Sequence, residues 1–416
     1  MAKIGKTTVV PKLRFPEFRE AEEWDLKNGD ELFDAINNKS PSEALPILAI
    51  TQEHGAIPRD KIDYHVSVTE QSIESYKVVE KGDFIISLRS FQGGIEYSSY
   101  RGICSPAYVI LRRKGDGSDG YFRSLFKSVR FIRQLTRNIE GLRDGKMISY
   151  KQFSEQRIPV AKPLEQQKIA DCLSSLDELI AAQGRKVEAL KSYTRGLMQQ
   201  IFPRTGETQP RLRFPEFRNA PGWEPTTLNG LVRLKSGGTP SKANPEFWNG
   251  SIPWVSAKDM KRLFLDDSED HISAAAVNDG AKMAPAGSVL VLARGMTLLK
   301  EVPICVLRRE MSFNQDVKAL LPKGDTYALF VALLLRGNKQ RLLKMVDIAG
   351  HGTGKLNTDE LNSFELSKPT SIEQHQIADF LSALDTLISI EAEKLASFKT
   401  HKDGLMQQLF PSLEDK

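Results

Sequence analysis

The chain contains itself twice, and nothing else in it constrains the fold as strongly. Glu165 to Pro203 returns as Glu373 to Pro411 without a gap, with 20 of 39 positions identical. Both copies end Gly-Leu-Met-Gln-Gln-x-Phe-Pro. A shorter block, Leu13-Arg-Phe-Pro-Glu-Phe18, returns as Leu212 to Phe217. The chain is a tandem duplication of about 200 residues. The order of parts is cyclic, since the second long block ends where another copy of the N-terminal block would begin. Two halves facing each other across a pseudo-two-fold axis produce that order, and a circularly permuted chain is expected to be tolerated.

The long blocks are predicted helices. Ile169, Leu173, Leu176, Ile180, Gln183, Val187, Leu190, Thr194, Leu197 and Ile201 alternate spacings of four and three, the heptad seam of a coiled coil. Ile377, Leu381, Leu384, Ile388, Glu391, Leu395, Phe398, Lys402, Leu405 and Leu409 repeat it in register. Polar residues interrupt both seams at matching places, Gln183 with Glu391 and Thr194 with Lys402. Such positions fix register or partner choice when buried, or else lie partly exposed. Pro163 and Pro369 stand just upstream, and Pro203 and Pro411 end the blocks. One such helix cannot bury its seam alone, and antiparallel pairing of the two copies would bury both.

A chain of 416 residues with 40% apolar content can build two or three cores. No apolar run reaches the roughly 18 residues of a membrane span, and Met1 to Val10 lacks a signal-peptide core. Cys104, Cys172 and Cys305 are too few and too scattered for a disulfide framework or a zinc site. A reducing, cytoplasmic setting is the default expectation. The net charge is +5, but the two helical blocks carry 0 and −3 and the tail 412–416 carries −1, which leaves +9 on the rest. That bias suits a polyanion, although it is also compatible with an ordinary solvated basic surface.

Residues 20–164 and 219–372 are related but diverged. Gly82-Asp-Phe-Ile-Ile-Ser-Leu-Arg89 parallels Gly287-Ser-Val-Leu-Val-Leu-Ala-Arg294: a turn, an apolar strand, and an arginine at its end. Ser105-Pro-Ala-Tyr108 falls opposite Asn314-Gln-Asp-Val317, and Gly145-Lys146 opposite Gly354-Lys355. Helices are expected over Tyr121 to Ile139 and Tyr327 to Val346. Each globular part therefore reads as α/β (α+β). The helices stayed alike while the globular parts diverged, which fits one scaffold carrying two recognition surfaces.

A catalytic centre does not stand out. Gly350-His-Gly-Thr-Gly-Lys355 mimics a phosphate-binding loop, but Ala349 occupies its first glycine position and Leu356 follows the lysine. A glycine-rich turn or DNA-contacting loop is the expectation there. The six histidines show no metal spacing, and the Asn/Asp-Pro-Pro-aromatic tetrapeptide of amino-group methyl transfer is missing.

In these features the chain resembles the specificity subunits of type I restriction–modification systems. The resemblance spans nearly the whole chain. It rests on the Leu-Arg-Phe-Pro-Glu-Phe openings, the Glu-Gln-x-x-Ile-Ala-x-x-Leu-Ser helix starts, and the Gly-Leu-Met-Gln-Gln-x-Phe-Pro ends. Ser236-Gly-Gly-Thr-Pro-Ser to Lys258-Asp-Met260 is similar to a target-recognition segment of that family. It implies a target recognition domain at 1–164, a conserved helix at 165–203, a linker at 204–218, a second recognition domain at 219–372, and a second conserved helix with tail at 373–416. It further implies that each recognition domain reads half of a split double-stranded DNA target. An antiparallel coiled coil, with interface residues Ile169, Leu173, Leu176, Ile180, Val187, Leu190, Leu197, Ile377, Leu381, Leu384, Ile388, Leu395, Phe398 and Leu405, would set the gap and dock two modification subunits. Those subunits would use S-adenosylmethionine to methylate adenine at N6, and restriction subunits would use ATP and magnesium. No cofactor, catalytic residue or metal is expected in this chain.

For DNA contact the first candidates are Arg89 and Arg294, at equivalent strand ends. Gln92, Asn314 and Gln315 offer amides suited to adenine. Lys146, Lys242, Lys258 and Lys355 are further candidates for phosphates, whereas Trp254 is better placed in a core. The alternatives are a coiled-coil scaffold that reads no DNA, and an enzyme with an unrecognised active site.

Overall fold

The computed structural model describes residues 7–39, 45–62, 73–137, 148–348 and 352–411. By internal packing the chain divides into two compact units, Met1–Gly184 with Glu393–Lys416, and Arg185–Ala392. The division falls inside both long helices, Pro163–Ile201 and Ser371–Leu409, each of 39 residues. The expected boundaries at 164/165 and 372/373 lie within two residues of the helix starts, but they do not bound the packing units. Each unit takes the first half of one helix and the second half of the other, because one seam cannot be covered by its own domain alone.

Every expected seam position is buried or half-buried. In the first unit Ile169, Leu173 and Leu176 share a core with Leu405, Met406, Leu409 and Phe410, and Asp177 pairs with Lys402. In the second unit Ile377, Leu381 and Leu384 share a core with Leu197, Met198, Ile201 and Phe202, and Lys186 Nζ lies 2.6 Å from Glu391 Oε1. The start of one helix meets the end of the other in both cases, so the pairing within each unit is antiparallel. The polar seam residues are resolved individually. Gln183 and Glu391 are buried, Glu391 is held by Lys186, and Lys402 by Asp177.

The repeated hexapeptides explain themselves in this setting. Arg14 and Arg213 reach Glu165 and Glu373, the first residues of the repeated blocks, and Trp24 and Trp223 donate indole N–H bonds to the same carboxylates. The next residues are also twins. Gln166 Oε1 accepts from the Ser118 amide and Gln374 Oε1 from the Tyr327 amide, tying each helix start to its α/β domain. The Leu13 amide donates to the Gln408 carbonyl (3.0 Å) and Leu212 to Gln200 (2.9 Å).

The central sheets share one strand order. In the first unit it is Phe33–Ile36, Val109–Arg113, Phe84–Ile86, Glu96–Tyr97, antiparallel throughout. In the second it is Val232–Ser236, Val317–Pro322, Val289–Leu292, Ile304–Leu307, with Phe264–Leu265 added in parallel to the last. The mixed α/β class expected from sequence holds for both. Both expected helical stretches are helical but interrupted. The described part of Tyr121 to Ile139, which ends at Arg137, carries two helices, Asp119–Lys127 and Val129–Thr136, because Ser128 adopts an extended conformation and its hydroxyl caps the second through the Phe131 amide. The helical stretch over Tyr327 to Val346 likewise breaks into Ala328–Gly337 and Lys339–Lys344, and Val346 begins a strand. At that break a Cβ on Gly337 would lie 2.5 Å from the Phe202 ring, so glycine admits the end of the first long helix. Among the described residues no helix is long and apolar enough to cross a membrane.

Candidate nucleic-acid interface

The two best sequence candidates occupy the same place in the two units. Gly82 (φ +101°) and Gly287 (φ +79°) make the left-handed turns that lead into the buried strands Phe84–Ile86 and Val289–Leu292. Arg89 and Arg294 lie at the exits, and both are exposed. Among the described residues neither makes an ion pair.

In the first unit the exit turn is pinned from several sides. The Arg89 amide donates to Ser87 Oγ (3.2 Å), and the Ser87 amide to Ser90 Oγ (2.9 Å). Arg89 precedes the short helix Ser90–Gly93, on which Gln92 is exposed. The turn borders a cleft of about 890 Å³ whose lining, among the described residues, includes His54, Arg59, Lys61, Arg89, Ser105 and Tyr108, and the carboxylate of Glu53. Lys61 lies 4.7 Å from the centroid of the Tyr100 ring. His54, Arg59 and Lys61 escaped the sequence reading because they sit on short segments without periodicity or a twin in the second half.

In the second unit Arg294–Gly295 pairs with Gly354–Lys355, and Val346–Ile348 completes a small sheet. Arg294 stands directly opposite Lys355, and Asp347 flanks Lys355 on the other side. Like charges directly opposite are unfavourable unless an anion is shared. A third cation is close: the Lys318 amine is held below its ordinary range, first by burial and then by the charge of Lys355, and it donates to Ser236 Oγ at 2.7 Å. Lys318 was also missed. Its signal was its place in the strand that follows Asn314-Gln315.

The described part of the glycine-rich segment, from Gly352, leads into the strand Gly354–Leu356. Gly352 has φ +72°, and a Cβ on Gly354 would lie 2.8 Å from Leu298 and from Val346. Glycine there lets the Met296–Leu299 turn pack against the ribbon. Residues 349–351 lie outside the described part of the chain, as do Gly145 and Lys146.

The remaining candidates separate. Gln315 is exposed and accepts from the Thr239 hydroxyl. Lys242 is exposed in a turn before Pro245–Trp248. Asn314 is a correction: it is 9% exposed, and its Oδ1 accepts from the Asp316 amide at 3.2 Å, so its side chain builds the turn instead of facing outward. Lys258 is exposed but sits 3.0 Å from both Glu269 and Asp270, which raise its pKa and neutralise it locally. Trp254 is buried, with its indole N–H on the Gly238 carbonyl, as the core reading expected.

Two α/β units share one strand order, end matching strands in exposed arginines, and are each completed by both long helices, which defines a duplicated fold with one cationic exit per unit. The chain belongs to the family of the type I restriction modification DNA specificity domain, whose model matches residues 21–192 and 221–399. It is 34% identical over 171 residues to the Type I restriction enzyme EcoR124I/EcoR124II specificity subunit of Escherichia coli; that match covers 41% of this chain and 42% of the relative. The match to the MjaIX specificity subunit of Methanocaldococcus jannaschii also covers under half of that relative, 38% at 26% identity. The MjaVIII specificity subunit of the same organism aligns over 94% of this chain and 93% of its own length at 21% identity. Among solved structures, the S subunit of a type I restriction–modification system from M. genitalium shares the fold with a TM-score of 0.57 at 16% identity, covering 97% of this chain and 99% of that one.

Proposed function

We propose that this chain is the DNA sequence-specificity subunit of a type I restriction–modification complex. Each unit reads one part of a split double-stranded target, and the paired helices set the gap and dock two modification subunits. The chemistry belongs to partners: S-adenosylmethionine on the modification subunits, ATP and magnesium on the restriction subunits. This chain supplies address and no catalysis, and it works in the cytoplasm.

The observation that carries this reading is the pairing of Arg89 with Arg294. One strand order delivers an exposed arginine to the same exit in both units, while the surfaces around the two differ. Arginine on the edge of a guanine in the major groove is the commonest specific protein–DNA contact, and flanking lysines supply phosphate contacts that position it.

The test is a genome-wide map of N6-methyladenine in cells expressing this chain with its modification subunit, against cells lacking the chain. A split motif that depends on the chain is expected. A continuous motif would contradict two-headed reading. Absence of new methylation from an assembled complex would leave a scaffold. Four residues inserted in one helix add about 6 Å, so the gap should lengthen by one or two base pairs, at about 3.4 Å each, with both half-sites unchanged.

A further inference from the structure

We infer that Leu88 and Met296 are apolar base readers, each contacting the bases of the half-site read by its own unit. This rests on the DNA-reading function proposed above and names side chains that act beside its arginines.

Leu88 immediately precedes Arg89 and is 52% exposed; Met296 lies two residues after Arg294 and is 62% exposed. A single exposed apolar side chain needs no explanation. Two of them, at equivalent strand exits of a duplicated fold and each beside an exposed arginine, call for one. Neither exposure comes from a slack loop. Leu88 is fixed between the Ser87–Arg89 and Ser87–Ser90 hydrogen bonds. Met296 begins a turn whose Leu298 is fully buried and whose preceding residues, Ala293 and Arg294, both donate to the Asp316 carbonyl. Each turn holds its apolar side chain outward while anchoring itself inward.

The neighbours select the partner. Leu88 borders the cleft that also holds Arg59, Lys61 and Arg89. Met296 stands beside the Arg294–Lys355 pair, with Leu299 exposed on the same turn. An apolar side chain beside exposed cations complements a surface that is anionic at its walls and apolar within. The DNA major groove has that character, with phosphates at its rims and the thymine C5-methyl on its floor. An exposed base step that admits an apolar wedge has it too. Leucine and methionine differ in form, as expected where the two units read different bases.

The experiment uses the full chain assembled with its modification subunit, and duplexes carrying the mapped target. Leu88→Ala should lower affinity about four- to fifteenfold, the range expected for one or two buried methyl-sized groups. The loss should disappear on duplexes altered in the half-site read by the first unit, and the salt dependence should not change. Met296→Ala should do the same for the other half-site. Replacing thymine by deoxyuridine within one half-site identifies the contact: if wild type loses affinity and the variant does not, the methyl is the partner; if neither loses and the variant stays weaker than wild type on both duplexes, the partner is a base step. Variants that match wild type on both half-sites overturn the inference, as does an equal loss on every sequence. A wild-type complex without salt-dependent DNA affinity would overturn the DNA-reading function itself, and is seen before any variant is compared.

Discussion

Arg14 and Glu165, 151 positions apart, meet in a bidentate ion pair with both N···O distances at 2.8 Å. Arg213 and Glu373 repeat it at 2.8 and 2.7 Å. The side chains are nearly closed to solvent, 7% exposed for each arginine and 1% for each glutamate. Burying two charges is costly, so such a pair contributes less net stability than its geometry suggests. Removing one member is another matter, because the remaining charge is left buried without its partner. The hydrogen bond to Glu165 raises the Arg14 pKa, and Glu373 does the same for Arg213, so neither arginine escapes by losing its proton.

Glu165→Leu should therefore destabilise the first unit by about 3–5 kcal/mol and leave the second nearly unchanged. Glu373→Leu should do the reverse. Chemical denaturation with a probe in each unit separates the transitions. Arg14→Met added to Glu165→Leu should recover part of the loss. Two single variants that each cost under about 0.5 kcal/mol would show that the pair behaves as a surface bridge.

Arg294 and Lys355 stand opposite each other but should fail differently. Arg294→Ala should cost about 1–3 kcal/mol of binding and relax preference at one position of one half-site. Lys355→Ala should weaken binding to all sequences alike and reduce the salt slope by about one. Titrations of both variants at several salt concentrations, on the target and on an unrelated duplex, provide the comparison. If both variants shift every sequence equally, Arg294 reads no base.

Lys318 should titrate below an ordinary lysine. Its folded pKa is lowered, first by burial and second by Lys355. Between the folded and ordinary values the unfolded chain binds more protons, so stability rises with pH across that window. Below the window the penalty is present in full. Lys355→Gln removes only the second cause and should raise the Lys318 pKa part of the way. Bound phosphate should raise it further. Side-chain NMR of the lysine methylenes follows the titration, and an unchanged Lys318 in Lys355→Gln would separate the two amines.

A chain joined from Lys416 to Met1 and reopened after Arg204 should fold. In the second unit four residues, 204–207, connect Pro203 to Thr208, whose carbonyl accepts from the Trp223 amide at 2.7 Å. The equivalent connection in the first unit, from Pro411 to Val9, has residues 412–416 and 1–8 available. The permuted chain should keep its helical circular dichroism and shift its melting temperature by only a few degrees, a change of about 1 kcal/mol or less. A molten or aggregated product would show that the present breakpoint is required.

The helices were legible because their constraint is periodic and stated twice. Leu173 and Leu381 are each nearly inaccessible at the same seam position, and a seam of ten positions cannot be assembled by accident. The strand-exit arginines were legible because a buried strand announces its own end. Asn314 was misread because Asx turns place an amide inward as readily as outward, and no local pattern distinguishes the two. Lys258 misled for a related reason: its acidic partners, Glu269 and Asp270, are brought to it by tertiary folding. Glu165 was visible as the first identical residue of the block and Arg14 as part of the hexapeptide, but their meeting required the fold.

The division of the packing at Gly184 and Glu393 also sets an order in time. Residues 185–392 form one contiguous unit, which can close as soon as it leaves the ribosome. The first unit begins earlier but waits, because Met406, Leu409 and Phe410 are part of its core and the Phe410 ring sits 5.5 Å from that of Tyr121. At about 5–20 residues per second, the interval between Gly184 and Phe410 is on the order of ten to forty-five seconds. Throughout it, the first unit has an open apolar face, and the last nineteen residues of the second block decide whether it closes.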